Sequence, residues 1–447
     1  MQYLPNILFV IALAAGVGFF VFNIKKLIRN IKLGRDEDRT DNKTQRFKNM
    51  AKIALGQYKM VVRPVSGIIH VLVYLGFIII NLEVLEIIID GIFGTHRIFS
   101  FLGGFYDFLI AVFEIFALLV LVGVIIFWIR RNILHIKRFL NREMKGWPKL
   151  DANLILYFEV VLMLLFLTMN AADLTLQTKG AEHYASAEGI VGAFPISQFI
   201  APLFENLSIP TLILIERAAW WIHILGILVF LNYLYYSKHL HILLAFPNTY
   251  FARLKPQGQF DNLEAVTNEV KLMMDPEADP YAMPEEGAED EVLAKFGASE
   301  ATDLSWAQLL NAYTCTECGR CTSECPANQT GKKLSPRRIM MATRDRIEDI
   351  GKNIDANKGT FKEDGKQLLD DYISREELWA CTTCNACVEA CPVGINPLSI
   401  IMDMRQYLVM EQSAAPTDLN NAMTNIENNA APWPFNQMDR ANWISEN

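Results

Sequence analysis

The chain has 447 residues, 52% of them hydrophobic and gathered in long apolar runs, which excludes a wholly soluble globular protein. The formal net charge of -8 divides unevenly: residues 1–260 hold 25 Lys/Arg against 17 Asp/Glu, and residues 261–447 hold 16 against 32. The first part has the balance of a membrane domain with basic loops and the second that of an acidic soluble domain, neither of which suits nucleic acid.

Residues 3–23 are apolar and long enough to span a bilayer. A signal peptide would carry its basic residues first. Here Lys25 and Lys26 come after the run, so a retained helix is expected. The loop 24–63 is rich in Lys and Arg from Lys25 to Arg63. Between two spans it reads as a cytoplasmic loop and not as a nucleic-acid patch. Further spans are predicted at 65–90, 104–129, 153–171 and 211–236. The loop from Arg130 to Lys149 is again basic, while 91–103 and 172–210 are poor in Lys and Arg. This alternation predicts five helices in a bacterial or archaeal cytoplasmic membrane, with the amino terminus outside and the segments after the fifth helix in the cytoplasm. Within 172–210 the run 194–207 is apolar but short, and packing is its expected role.

The expected division is a transmembrane domain at 1–258, an acidic linker at 259–302, a cysteine-bearing domain at 303–412 and a polar, partner-contacting tail at 413–447. The fold class expected is all-α, a five-helix cytochrome b-like bundle with an α-helical ferredoxin domain after it. The linker reads as mobile, because it is acidic and has prolines at 276, 280 and 284.

All eight cysteines fall in two runs, CTECGRCTSECP (315–326) and CTTCNACVEACP (381–392). Both fit C-x2-C-x2-C-x3-C-P, the spacing that ligates cubane iron–sulfur clusters, in which the fourth cysteine serves the other cluster. The expected ligands are Cys315, Cys318, Cys321 and Cys391 for cluster one, and Cys381, Cys384, Cys387 and Cys325 for cluster two. Zinc sites usually show paired C-x2-C units instead, and no cysteine is left for a disulfide framework. The thiols require a reducing compartment, in agreement with the charge-based topology.

Histidines in the spans suggest haem b. His223 and His241 are 18 residues apart on a predicted fifth helix, which puts them on one face about 27 Å apart. His70 lies at the depth of His241, and His239 is expected on nearly the opposite face. His223 lacks a matching partner, with Ile80 and Asn81 at that depth; His96 and His183 are alternatives, and a quinone-contacting or structural role is the other reading. Glu83, Glu86 and Asp90 share a face of the second helix. They read as proton acceptors for a quinol or as partners of Arg217.

The run YYSKHLHILLAFPN (235–248) resembles the end of the membrane cytochrome subunit of respiratory nitrate reductase. That resemblance implies haem ligation by His70, His241 and His223, with Ile80 departing at the fourth position. LWACTTCNACVEACPVGINP is similar to the small iron–sulfur subunit of heterodisulfide reductases and to related membrane-bound Fe–S oxidoreductases. These commonly continue into Cys-Cys-Gly domains, and the chain has no adjacent cysteines. The resemblance therefore implies a catalytic part on a separate Fe–S subunit or flavoprotein. The expected function is electron transfer between a quinone pool and that partner through haem b and two [4Fe–4S] clusters. A redox sensor or a structural anchor is the alternative.

Overall fold

The computed structural model describes residues 3–184, 189–276 and 295–445. Among them the chain is helical or irregular, with isolated bridges such as Arg35–Ser305 and Leu369–Ile373 and no strand. Residues 277–294 of the acidic linker, with Pro280 and Pro284, lie outside the described residues.

Five helices are long and apolar enough to cross a membrane: α1 (Leu4–Ile31), α2 (Pro64–Phe93), α3 (Gly104–Asn132), α4 (Trp147–Thr178) and α5 (Ile209–Tyr233), the last continued to Tyr236 by a tight turn. The all-α class and the five apolar helices agree with the sequence expectation. Four of the five begin with a proline in the first turn, where its missing N–H costs nothing. The helix α2 stops at Gly94, whose φ of 73° suits a residue without Cβ. Helices overrun the apolar runs that announced them: α4 covers 147–178 against a predicted 153–171, so its polar ends are helical too.

The bundle packs α5 against α1 and α4, and α3 between α2 and α4. Small residues allow close approach, as at Gly76, where a Cβ would meet Val120 at 2.5 Å. The apolar run 194–207 forms two short turns against α4. Ser197 is fully buried and its Oγ donates to the Leu167 carbonyl (3.1 Å), while Phe199 and Leu203 face outward.

The predicted fifth helix is not continuous to His241. It ends at Tyr233, Ser237 is extended (φ -112°, ψ 146°), and a new helix, α6, runs from His241 to Tyr250. The break is stabilised by side chains. Asp151 accepts from the Lys238 amide (3.2 Å) and the Tyr233 hydroxyl (2.6 Å), and Ser237 Oγ accepts from the His239 amide (3.0 Å). The single-helix spacing of His223 and His241 therefore does not hold. His239 is not turned away either, for its ring centroid is 5.4 Å from that of His241.

The cysteine-bearing domain is built on α7 (Trp306–Thr314), α8 (Pro336–Ala356) and α9 (Pro397–Met410). Its apolar faces meet in a core with Leu309, Ile339, Ile347, Ile400 and Met404, all fully buried. The same core continues into Leu27, Ile31, Phe230 and Leu240 of the bundle. The domain is thus seated on the bundle end. Asn30 donates to the Tyr313 hydroxyl (3.1 Å) and Arg29 to the Gly351 carbonyl (3.1 Å). Arg35 exchanges backbone hydrogen bonds with Leu304 and Trp306 (2.8 and 3.0 Å). Arg337, fully buried, pairs with Glu143 (2.7 Å). The tail from 413 contains α10 (Thr417–Asn429) and buries none of its described residues.

Candidate functional site

The two cysteine runs fold into matching loops. In each, the residues two and four places after the first cysteine take positive φ: Glu317 (52°) and Gly319 (71°), then Thr383 (56°) and Asn385 (61°). These left-handed turns curl each loop around its thiols, and a short helix succeeds each, Arg320–Glu324 and Ala386–Ala390. Backbone amides already point at sulfur: Thr383 to Cys381 Sγ (3.4 Å) and Ile395 to Cys391 Sγ (3.3 Å).

Burial pushes the Cys315 thiol up to about 12 and Cys391 up to about 11. Thiolates at this depth need a cationic partner, and iron supplies one, so the residues fit the group. The neighbours cross between runs. Cys391 lies in the electrostatic field of Cys318, and Cys321 feels Cys318, Cys315, Cys391 and, last, Cys387 of the other set. Cys387 feels Cys381, Cys325 and Cys384. Cys384 alone among the eight is exposed.

A histidine pair sits where the bundle meets this domain. The rings of His70 on α2 and His241 at the start of α6 have centroids 6.3 Å apart. A metal between two imidazoles, with bonds of about 2 Å, would hold ring centroids about 6 Å apart. His241 Nδ1 is 3.1 Å from the Lys238 carbonyl, the contact that leaves Nε2 for a metal. The His70–His241 pair thus fits a bis-imidazole iron. His223 is buried against Phe166 and its Nδ1 has no hydrogen bond among the described residues, but Ile80 belongs to the same closed core, so the structure brings it no second imidazole there.

Lys238 joins pair and loop. Its ammonium bonds Glu317 in the first cysteine loop and lies 3.7 Å from Asp151. Burial works against the Glu317 carboxylate, yet Lys238 and Arg344 hold its pKa below the usual range. Sequence reasoning missed this clamp, because Lys238 and Glu317 are 79 positions apart.

At the far end of the bundle lies a cavity of about 400 Å³. Glu83, Glu86 and Arg217 all line it, as do His96 and His183. Arg217 pairs with its neighbour Glu216, not with the acidic face of α2. Glu86 accepts from the Tyr106 hydroxyl (2.8 Å) and Asp90 from the Arg97 amide (2.8 Å). Arg97 and Asp173, joined at 2.6 Å, were not singled out from sequence. Asp173 lies two residues beyond the predicted span yet within α4.

The 4Fe-4S dicluster domain family matches residues 314–395. A probable iron-sulfur-binding oxidoreductase, FadF, of Bacillus subtilis (strain 168) is 31% identical, aligned over 98% of this chain and 61% of its own length. The EtfAB:quinone oxidoreductase of Syntrophomonas wolfei is 26% identical over 96% of this chain and 58% of its own length. One subunit of the ferredoxin/F(420)H(2)-dependent CoB-CoM heterodisulfide reductase of Methanosarcina acetivorans is 35% identical over 27% of this chain and 60% of its own length. The chain therefore spans about three fifths of the curated relatives it matches. No solved structure matches. With two cysteine runs in a 4Fe-4S dicluster domain behind five apolar helices, the chain is similar to iron–sulfur oxidoreductases and to heterodisulfide reductase subunits.

Proposed function

We propose that the chain carries electrons between a quinone pool and a redox partner on the cytoplasmic side, through haem b at His70 and His241 and two [4Fe–4S] clusters. Cluster one is held by Cys315, Cys318, Cys321 and Cys391, and cluster two by Cys381, Cys384, Cys387 and Cys325. The observation that carries this reading is the clamp at the bundle end: Lys238 holds His241 through its carbonyl and the first cysteine loop through its ammonium. A haem ligand and a cluster loop are thereby fixed to one residue.

The chain's own residues supply thiolates, imidazoles and fixed distances; the bound iron centres supply one-electron chemistry. Cluster two faces solvent at Cys384 and is the exit toward the partner. The partner is a soluble Fe–S protein of Cys-Cys-Gly type or a flavoprotein. The relative named for EtfAB and quinone supports the quinone link, and the heterodisulfide reductase subunit supports a multi-subunit assembly. The acidic half of the chain lies on the cytoplasmic side by charge alternation.

The test is reduction of the full chain in membranes by menadiol, a short quinol, with electron paramagnetic resonance of the clusters as readout. Appearance of two reduced-cluster signals and a reduced b-type haem band is expected. Clusters that dithionite reduces and menadiol never does would refute the quinone link; two zinc ions in place of iron would refute the clusters.

A further inference from the structure

We infer that the far-end cavity receives the quinol ring and that His96, with the Asp173 carboxylate beside it, takes the proton from a ring hydroxyl. This rests on the quinone reading above and assigns its chemistry to named atoms.

The cavity is within the size range of small-molecule sites. Its walls are of two kinds. Phe9, Trp220 and Trp221 touch one another, with ring centroids 5.3 to 6.0 Å apart, and offer flat aromatic surface. Facing the same space are His96, Asp173 and Glu83. A ligand with a flat ring and polar oxygens at its edge matches that division, as a fully apolar or fully charged one does not.

Asp173 is anchored from one side. Arg97 Nε donates to its Oδ2 at 2.6 Å, leaving Oδ1 3.2 Å from His96 Nε2. That contact lies within ion-pair distance but outside hydrogen-bond geometry, so Oδ1 has no hydrogen bond among the described residues; a carboxylate this close still favours the protonated imidazole and so makes His96 a better base. His96 lines the cavity, and its Nε2 is the nitrogen turned to Asp173, which leaves Nδ1 for the ligand. Glu83 is the independent sign of a ligand. Only 3% exposed, it lines the cavity with Oε2 unpartnered among the described residues, and a buried polar atom seldom stays so unless something else satisfies it.

The step balances. The quinol O–H nearest His96 breaks, its proton forms a bond to Nδ1, and the imidazolium is stabilised by Asp173. One electron leaves for the chain's one-electron iron carriers. The second O–H gives its proton to the Glu83 carboxylate and the second electron leaves by the same route. Two O–H bonds, two protons and two electrons are lost, and the ring becomes a quinone. Quinone reduction runs through the same atoms in reverse.

The test uses the full chain in membrane vesicles, with menadiol as electron donor and bleaching of the iron–sulfur absorbance as signal. His96→Ala should slow the rate at saturating menadiol about 100-fold, the usual scale for a lost acid–base group. The menadiol concentration for half-maximal rate should stay within about threefold, and added imidazole should restore part of the rate. Trp221→Ala should raise that half-maximal concentration about tenfold while dithionite still reduces the clusters. An unchanged rate in His96→Ala, or a slow one that imidazole leaves slow, overturns the assignment to His96. A chain that menadiol does not reduce even with His96 present overturns the quinone reading, a different failure with a different signature.

Discussion

Each end of the helix bundle holds imidazoles close together, three near the cysteine domain and two at the far end, and their surroundings differ. Near the cysteine domain, His70 and His241 stand 6.3 Å apart, with a backbone carbonyl behind His241 and no carboxylate at ion-pair distance from either among the described residues. At the far end, His96 and His183 stand 5.7 Å apart, and His96 has Asp173 behind it. A backbone carbonyl orients an imidazole without adding charge, which suits a metal ligand. A carboxylate stabilises the protonated ring, which suits proton exchange. Similar pairs, set in different company, are thus prepared for different work.

That contrast can be broken experimentally. The largest effect concerns the cysteines. Cys391→Ser should abolish cluster one and leave cluster two, and Cys325→Ser the reverse, each seen as loss of about four of eight irons. A loss that stayed within the mutated run would undo the crossed arrangement. Next, His70→Ala and His241→Ala should each abolish the same low-spin haem signal, and His96→Ala should leave it. If all three lost it, the two pairs would not differ as described. Lys238→Ala should come third. It removes one of the two cations that hold buried Glu317 and leaves Arg344 at 3.0 Å, at a cost of about 3 kcal/mol, measured as earlier thermal release of the cysteine domain to protease.

A smaller effect belongs to Asp403, outside both pairs. Burial raises its pKa from 3.8 to about 6. Between those values the folded chain keeps a proton that the unfolded chain releases, so stability falls as pH rises through that window and stays reduced above it. Asp403→Asn should gain about 2 kcal/mol at pH 8 and almost nothing at pH 3, by denaturant melts at both. The smallest effect is expected at Arg29, whose partner Asp355 is a third exposed. Arg29→Ala should change stability by less than about 1 kcal/mol, and salt should erase the difference.

The legible and illegible parts of this molecule have physical reasons. The cysteine loops were readable because cluster ligation needs a fixed local spacing. The spans were readable because lipid demands continuous apolar length. The break at Ser237 was not, since it depends on Asp151, 86 positions earlier, accepting the Lys238 amide. Asp173 was missed because hydropathy stops where α4 turns polar, before the helix ends. The reading of 259–302 as a linker captures its acidity, yet residues 298 and 301 are fully buried against the cysteine domain. The amide of Ala298 donates to the Asp403 carbonyl at 3.0 Å.

The seating of the cysteine domain has a kinetic meaning. Arg337 buried against Glu143, Asn30 bonded to Tyr313 and a shared apolar core hold the domain against the bundle end, and a swing away would break all three. Whatever crosses from the histidine pair to the first loop crosses a gap of constant width. Glycerol should therefore slow the arrival of a soluble partner in proportion to viscosity and leave the internal transfer untouched. The molecule behaves as a wire with soldered ends, not as a ferry.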